Sequence, residues 1–243
     1  MLIVHKYGGT SVADGACIEN AAKRIVKAVH QGHQVIAVVS AQGDLTDRLL
    51  EKIRQIDRTP SARESDACVS AGEQISAALV AMAVQKLGVP AVSLMGWQAG
   101  LVTDDAYGNA RIRYLKGDRI QKELDRGNVV VVAGFQGIDQ HSNVTTLGRG
   151  GSDTTAVALT ALVKADRCII FTDVAGVYDK DPRKNPDAKK YAVIGYDEML
   201  ALCNQGAQVL HDRCVEMAKQ CRICLEVKSA FDDSPGTIVG DLY

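Results

Sequence analysis

Three glycines within four positions flank one arginine in Gly148-Arg149-Gly150-Gly151-Ser152-Asp153. So little side-chain bulk permits unusual backbone angles and lets N–H groups come close to a ligand. The apolar run that follows, Ala156 to Leu159 with Ala161, Leu162 and Val163, is helical in character. Ser152 or Asp153 is therefore expected to cap a helix running from Thr154 to Lys164. A helix N-terminus fed by a glycine loop favours anions through its unpaired N–H groups and its dipole. A plain solvent loop needs neither Arg149 nor Asp153, so the segment reads as a ligand site.

Lys6-Tyr7-Gly8-Gly9-Thr10-Ser11 is a second such segment. It closes the β-rich run from Leu2 and precedes apolar residues at helical spacing, Ile18, Ala22, Ile25, Val26 and Val29. Strand, glycine turn and helix can present the amides of Gly8 and Gly9 to a phosphate. It is no Walker loop, because no Gly-Lys-Ser/Thr closes it. Lys6 stands before the glycines, where it either reaches the same anion or is a solvated edge lysine. Glu73, in Ser70-Ala71-Gly72-Glu73, sits among small and apolar residues of a helix expected from about Arg63 to Leu87. It is either an exposed face residue, the default, or a buried charge with a partner. Gly72 beside it weakens the helix and lets another backbone approach.

The elements that must position these residues alternate strand and helix. Val35–Val39, Val129–Ala133 and Cys168–Phe171 are continuous apolar runs, the mark of strands buried on both faces. Each ends in a polar or glycine-rich loop: Ser40–Asp47, Gly134–Gly137 and Thr172–Tyr178. Ligands of open α/β sheets bind at that end of the strands. Helices near 196–204 and 212–221 and strands Ile223–Val227 and Thr237–Val239 complete the chain, with a small edge hairpin expected between Trp97 and Ala110. The pattern predicts a mainly parallel sheet with helices on both faces, in one domain with two lobes.

Composition narrows the partners. The 243 residues carry a net charge of −1, which gives no bulk reason to expect nucleic acid or membrane binding. No apolar run is expected to span a membrane, and the N-terminus lacks a signal pattern. Seven cysteines suit free thiols in a reducing cytoplasm. Cys221-Arg222-Ile223-Cys224 falls where a helix meets a strand, which favours structural thiols over a metal or redox site.

Five motifs, in order and spanning nearly the whole chain, resemble the aspartate kinase (aspartokinase) signatures. They are Lys6–Ser11, Ser70–Glu73, Gly134–Gly137, Gly148–Asp153 and Thr172–Tyr178. The resemblance implies an amino-acid kinase (carbamate kinase-like) fold, a three-layer α/β/α sandwich. An amino-acid lobe would cover about residues 1–150 and a nucleotide lobe about 151–243. The implied reaction is phosphoryl transfer from MgATP to the β-carboxylate of L-aspartate, the first step toward lysine, threonine and methionine. It implies that Lys6 and the Gly8 and Gly9 amides hold the transferring phosphate and that Asp153 orients Lys6. Arg149 would take the substrate's α-carboxylate and Glu73 its ammonium, with Thr46, Phe135 and Ser152 completing that pocket. Thr172, Asp173, Tyr178, Asp181, Arg183 and Gln208 would line the nucleotide site, and no residues are assigned to a metal. A cytoplasmic homo-oligomer without a regulatory ACT domain in these residues is expected.

Two segments depart from the family's pattern. Gln208 stands in Gly206–His211 where a lysine is common, and Gln42 and Leu45 replace the usual Met and Thr in Ser40–Thr46. The rival readings are a kinase of the same fold with another carboxylate substrate, and a non-catalytic subunit that binds nucleotide or aspartate.

Overall fold

The computed structural model describes residues 1–207 and 209–241, so Gln208 lies outside the described residues. The first half of the chain runs β1 (Leu2–Tyr7), a 3-10 turn (Gly9–Val12), α1 (Gly15–His30), β2 (Gln34–Val39), α2 (Leu45–Ile56), α3 (Ala62–Val69), α4 (Ala71–Lys86), β3 (Ala91–Leu94), β4 (Leu101–Thr103), β5 (Ile112–Leu115), α5 (Asp118–Asp125) and β6 (Val129–Ala133). Then come β7 (Gln136–Ile138), β8 (Val144–Thr146), α6 (Gly151–Val163), β9 (Arg167–Thr172), β10 (Val193–Ile194), α7 (Tyr196–Asn204), α8 (Asp212–Cys221), β11 (Leu225–Ser229) and β12 (Thr237–Val239).

Eight strands form one sheet in the order β10-β12-β11-β9-β1-β2-β6-β3, parallel throughout except for β11 against β12. The apolar runs occupy its centre, and both faces of β2 and β6 are buried. Alternation along β1 sends Ile3 and Tyr7 to one face and Val4 to the other. The Ile3 face is covered by α1 and α4, the Val4 face by α5, α6 and α8. The result is the expected three-layer sandwich.

Four local expectations change. The hairpin expected near Trp97–Ala110 forms as β4 antiparallel to β5, but with β7 and β8 it makes a separate four-stranded sheet, order β5-β4-β7-β8. Strands of three or four residues are too short to show a period of two in the sequence. The helix expected from Arg63 to Leu87 breaks at Ser70, whose carbonyl accepts a hydrogen bond from Gln136 Nε2 at 2.7 Å. Taken as one stretch, Ala62–Lys86 is long and apolar enough to cross a membrane by length and composition alone, contrary to the sequence reading. Half of its most apolar window is buried inside the protein, where α4 packs on α1, β3 and β6. Finally, α6 starts at Gly151 rather than Thr154.

Candidate active site

β1 pairs in parallel with β2 and β9, and β2 with β6, so four strands end along one edge of the sheet. The loops that follow them carry most of the candidate residues. Lys6 lies on the Val4 face of β1, beneath α6. Its Nζ stands 2.6 Å from Asp153 Oδ1, with both side chains largely buried. Asp153 is therefore not the helix cap. The N-cap is Gly150, left-handed at φ +69° and without a side-chain bond, and Asp153 sits in the first turn facing Lys6. Ser152 is not the cap either. It packs on Gly134, where a Cβ would come 2.7 Å from Ser152 Oγ.

The two glycines after Lys6 differ. Gly8 N–H donates to Phe171 O at 3.3 Å, so the amide expected to meet a phosphate already has an acceptor. Gly9 opens the 3-10 turn, where the first amides have no acceptor within the helix. A Cβ on Gly9 would lie 2.9 Å from Ala41 O, so only glycine lets the loop after β1 close against the loop after β2.

Glu73 is 3% exposed, which excludes the surface reading. Its Oε1 accepts the Ala41 N–H at 3.0 Å, while Oε2 is buried without a partner among the described residues. Burial penalises the charge and raises its pKa to about 7. Gly72 allows this approach, since a Cβ there would be 2.7 Å from Ala41 Cβ. Thr46, half-buried in the first turn of α2, follows Leu45, whose Cδ2 lies 3.8 Å from the same point.

Phe135 takes a left-handed φ of +71°, and its N–H donates to Thr155 Oγ1 at 3.2 Å. Its ring lies against Gly151 at the start of α6. Arg149 is exposed and has no ion pair among the described residues. Glu73 thus offers an acceptor oxygen and Arg149 a donor fork, and neither is engaged in an ion pair among the described residues.

Past β9, Thr172 Oγ1 donates to Asp173 Oδ1 at 3.2 Å. Arg183 joins Asp173 Oδ2 at 3.4 Å to Asp181 Oδ1 at 3.2 Å. The Arg183 backbone N–H, followed by its side chain, holds Asp181 below the usual carboxylate range. Tyr178, half-buried, bridges to Lys190. These five residues gather in one polar, partly exposed segment. Among the described residues no three or more His, Cys, Asp or Glu side chains cluster to hold a metal ion. Cys221 and Cys224 are free thiols on either side of Arg222, a left-handed helix cap.

Sequence reasoning passed over Asp66 and Arg213, and it placed Gln136 in the Gly134–Gly137 motif without giving its side chain a role. Asp66 is buried on the same side of α3 as Val69, three residues on, which is its one sequence signal. Gln136 is fully buried with Oε1 unpartnered. Nothing near Arg213 in the sequence marks it.

Residues 1–229 match the model of the Amino acid kinase family, and the chain belongs to that family. Relatives named aspartokinases are about half identical to this chain. An aspartokinase of Bacillus sp. (strain MGA3) is 52% identical over 238 residues, which cover 98% of this chain and 58% of the relative. The crystal structure of aspartate kinase from Synechocystis superimposes with a TM-score of 0.89 at 46% identity, over 100% of this chain and 40% of that one. E. coli aspartokinase III in complex with aspartate and ADP (R-state) also gives 0.89, at 27% identity, over 100% of this chain and 65% of the other. The chain therefore spans a little over half the length of the curated relatives it matches.

Proposed function

We propose that the chain is the catalytic portion of an aspartate kinase, which transfers the γ-phosphoryl group of ATP to the β-carboxylate of L-aspartate. The observation that carries this reading is Glu73, a buried carboxyl with one oxygen lacking a partner among the described residues. Such a group calls for a cationic donor, and the α-ammonium of a free amino acid supplies one. Arg149, exposed and unpaired, supplies the complementary fork for the α-carboxylate. Relatives named aspartokinases, one of them solved with aspartate and ADP, support the choice of substrate.

A carboxylate nucleophile is already ionised at neutral pH, so the reaction needs no general base. The protein's task is to align nucleophile and phosphate and to offset their repulsion. Lys6, oriented by Asp153, and the Gly9 amide would meet the transferring phosphate. Thr46, Phe135 and Ser152 would close the amino-acid pocket. Thr172, Asp173, Tyr178, Asp181 and Arg183 would receive the nucleotide in the lobe formed by about residues 151–243, with Gln208 beside its phosphates. The Mg2+ of MgATP belongs to the substrate, held mainly by phosphate oxygens and water.

Hydroxylamine trapping with ATP and a panel of amino acids tests the reading. Hydroxamate should form with aspartate and not with glutamate or N-acetylglutamate. Product from another acceptor alone, or ATP binding without any product, would replace this function.

A further inference from the structure

The turn that carries Arg149 is held from two sides by charged side chains outside the proposed pocket. Asp66, on α3, is 2% exposed. Its Oδ2 accepts the N–H groups of Gly108 at 2.9 Å and Thr146 at 2.7 Å, and its Oδ1 accepts the Thr146 hydroxyl at 2.8 Å. Burial raises the Asp66 pKa, and these three donors oppose that shift. Arg213, in the first turn of α8, donates through Nη1 to Leu147 O at 2.5 Å and to Asn109 Oδ1 at 2.8 Å. Its Nη2 donates to Ala110 O at 2.9 Å.

All six bonds converge on two short stretches, 108–110 and 146–147, themselves joined by Ala110 N–H to Thr146 O at 2.8 Å. Gly148 leaves this base with φ +74°, and a Cβ there would stand 3.0 Å from Gly108 O. The Gly151 N–H then closes the turn onto Gly148 O at 3.0 Å, with Arg149 and Gly150 at its tip. Arg149 is exposed on this tip and makes no ion pair among the described residues, so its placement rests on the base of the turn. The two holders sit on different helices. α3 leads through Ser70 into α4, which bears Glu73, while α8 follows His211, whose ring lies against Gly150.

We propose that Asp66 and Arg213 are positioning residues for Arg149, holding its turn in register with the Glu73 helix on one side and the start of α8 on the other. Hydrogen bonds to ionised groups are stronger than neutral ones, and a guanidinium fork serves several acceptors from one rigid plane. The inference rests on the proposed role of Arg149 toward the substrate carboxylate.

Asp66→Asn is nearly isosteric but turns one accepting oxygen into a donor facing other donors. Arg213→Lys keeps the charge without the fork. Each variant should raise the aspartate KM about tenfold and leave the ATP KM within about twofold. Each should also speed amide hydrogen exchange at Arg149 and Gly150, with β1 and β2 unchanged. In an Arg149→Ala background neither should raise the aspartate KM further, because what they position is gone. Equal increases with and without Arg149, or unchanged exchange at the turn, would overturn the proposal. If Arg149→Ala alone leaves the aspartate KM unaltered, the carboxylate role fails instead, and exchange at the turn still decides whether the two residues hold it. Should Asp66→Asn not fold, Arg213→Lys carries the same test.

Discussion

Glu73 is the residue whose chemistry depends most on pH. Its pKa rises from an ordinary 4.5 to about 7 because folding removes the carboxylate from water. The native state then binds a proton more tightly than the unfolded chain between those values. Its contribution to stability is present in full below about 4.5 and is lost as pH rises toward about 7. In the absence of ligand, Glu73→Gln should flatten this decline, gaining on the wild type at pH 8 relative to pH 4 in urea midpoints. An ammonium partner reverses the preference, since it favours the ionised form. The wild-type aspartate KM should therefore climb as pH falls below about 7. A pH-independent KM over that range would remove Glu73 from the ammonium site.

At the scale of elements, α4 meets the loop after β2 across Gly72. Replacing Gly72 by Ala sets two effects against each other. Helix propensity would improve by about 1 kcal/mol. Against it, the new methyl group would stand 2.7 Å from Ala41 Cβ, and overpacking of a tight contact costs roughly 1–3 kcal/mol. The clash should win. Because the Ala41 N–H is also the donor to Glu73 Oε1, displacing Ala41 should loosen the pocket as well. The expected outcome is a lower Tm with a larger rise in aspartate KM than in ATP KM. A more stable variant with unchanged kinetics would show that the loop yields without consequence. The single long helix expected here and the break found at Ser70 differ for a related reason. Local propensity continues through Ser70, but its carbonyl is taken by Gln136, a residue 66 positions away.

At the scale of the whole molecule, Lys6 near the end of the chain's first strand and Asp153 from its second half, in the first turn of α6, meet at 2.6 Å. Asp153→Asn keeps the shape and an accepting oxygen but removes the charge that holds the ammonium. We expect kcat to fall by roughly a hundredfold while KM for either substrate changes far less. Circular dichroism should show the fold retained. Wild-type turnover would reduce Asp153 to a structural partner of Lys6.

Much of this was legible in the chain alone. The continuous apolar runs determined the buried central strands, because only a strand covered on both faces tolerates no polar alternation. Glycine-rich loops at the strand ends, and motifs with charged residues embedded in them, located Lys6, Glu73, Arg149 and Asp153 as candidates. Whether Glu73 was exposed or buried could not be read, since both environments suit a glutamate on a mostly apolar helix, and only packing against Ala41 decided it. The helix cap was misplaced for a similar reason. Ser152 and Asp153 have the chemistry of caps, but Gly134 and Lys6, distant in sequence, engage them first. Asp66 and Arg213 were hard to see because four of their six partners are backbone groups, which nearly every residue possesses and no sequence pattern marks. Residue types and spacing therefore specified which chemistry was present, and the tertiary structure alone specified which groups are brought together, buried and left without a partner.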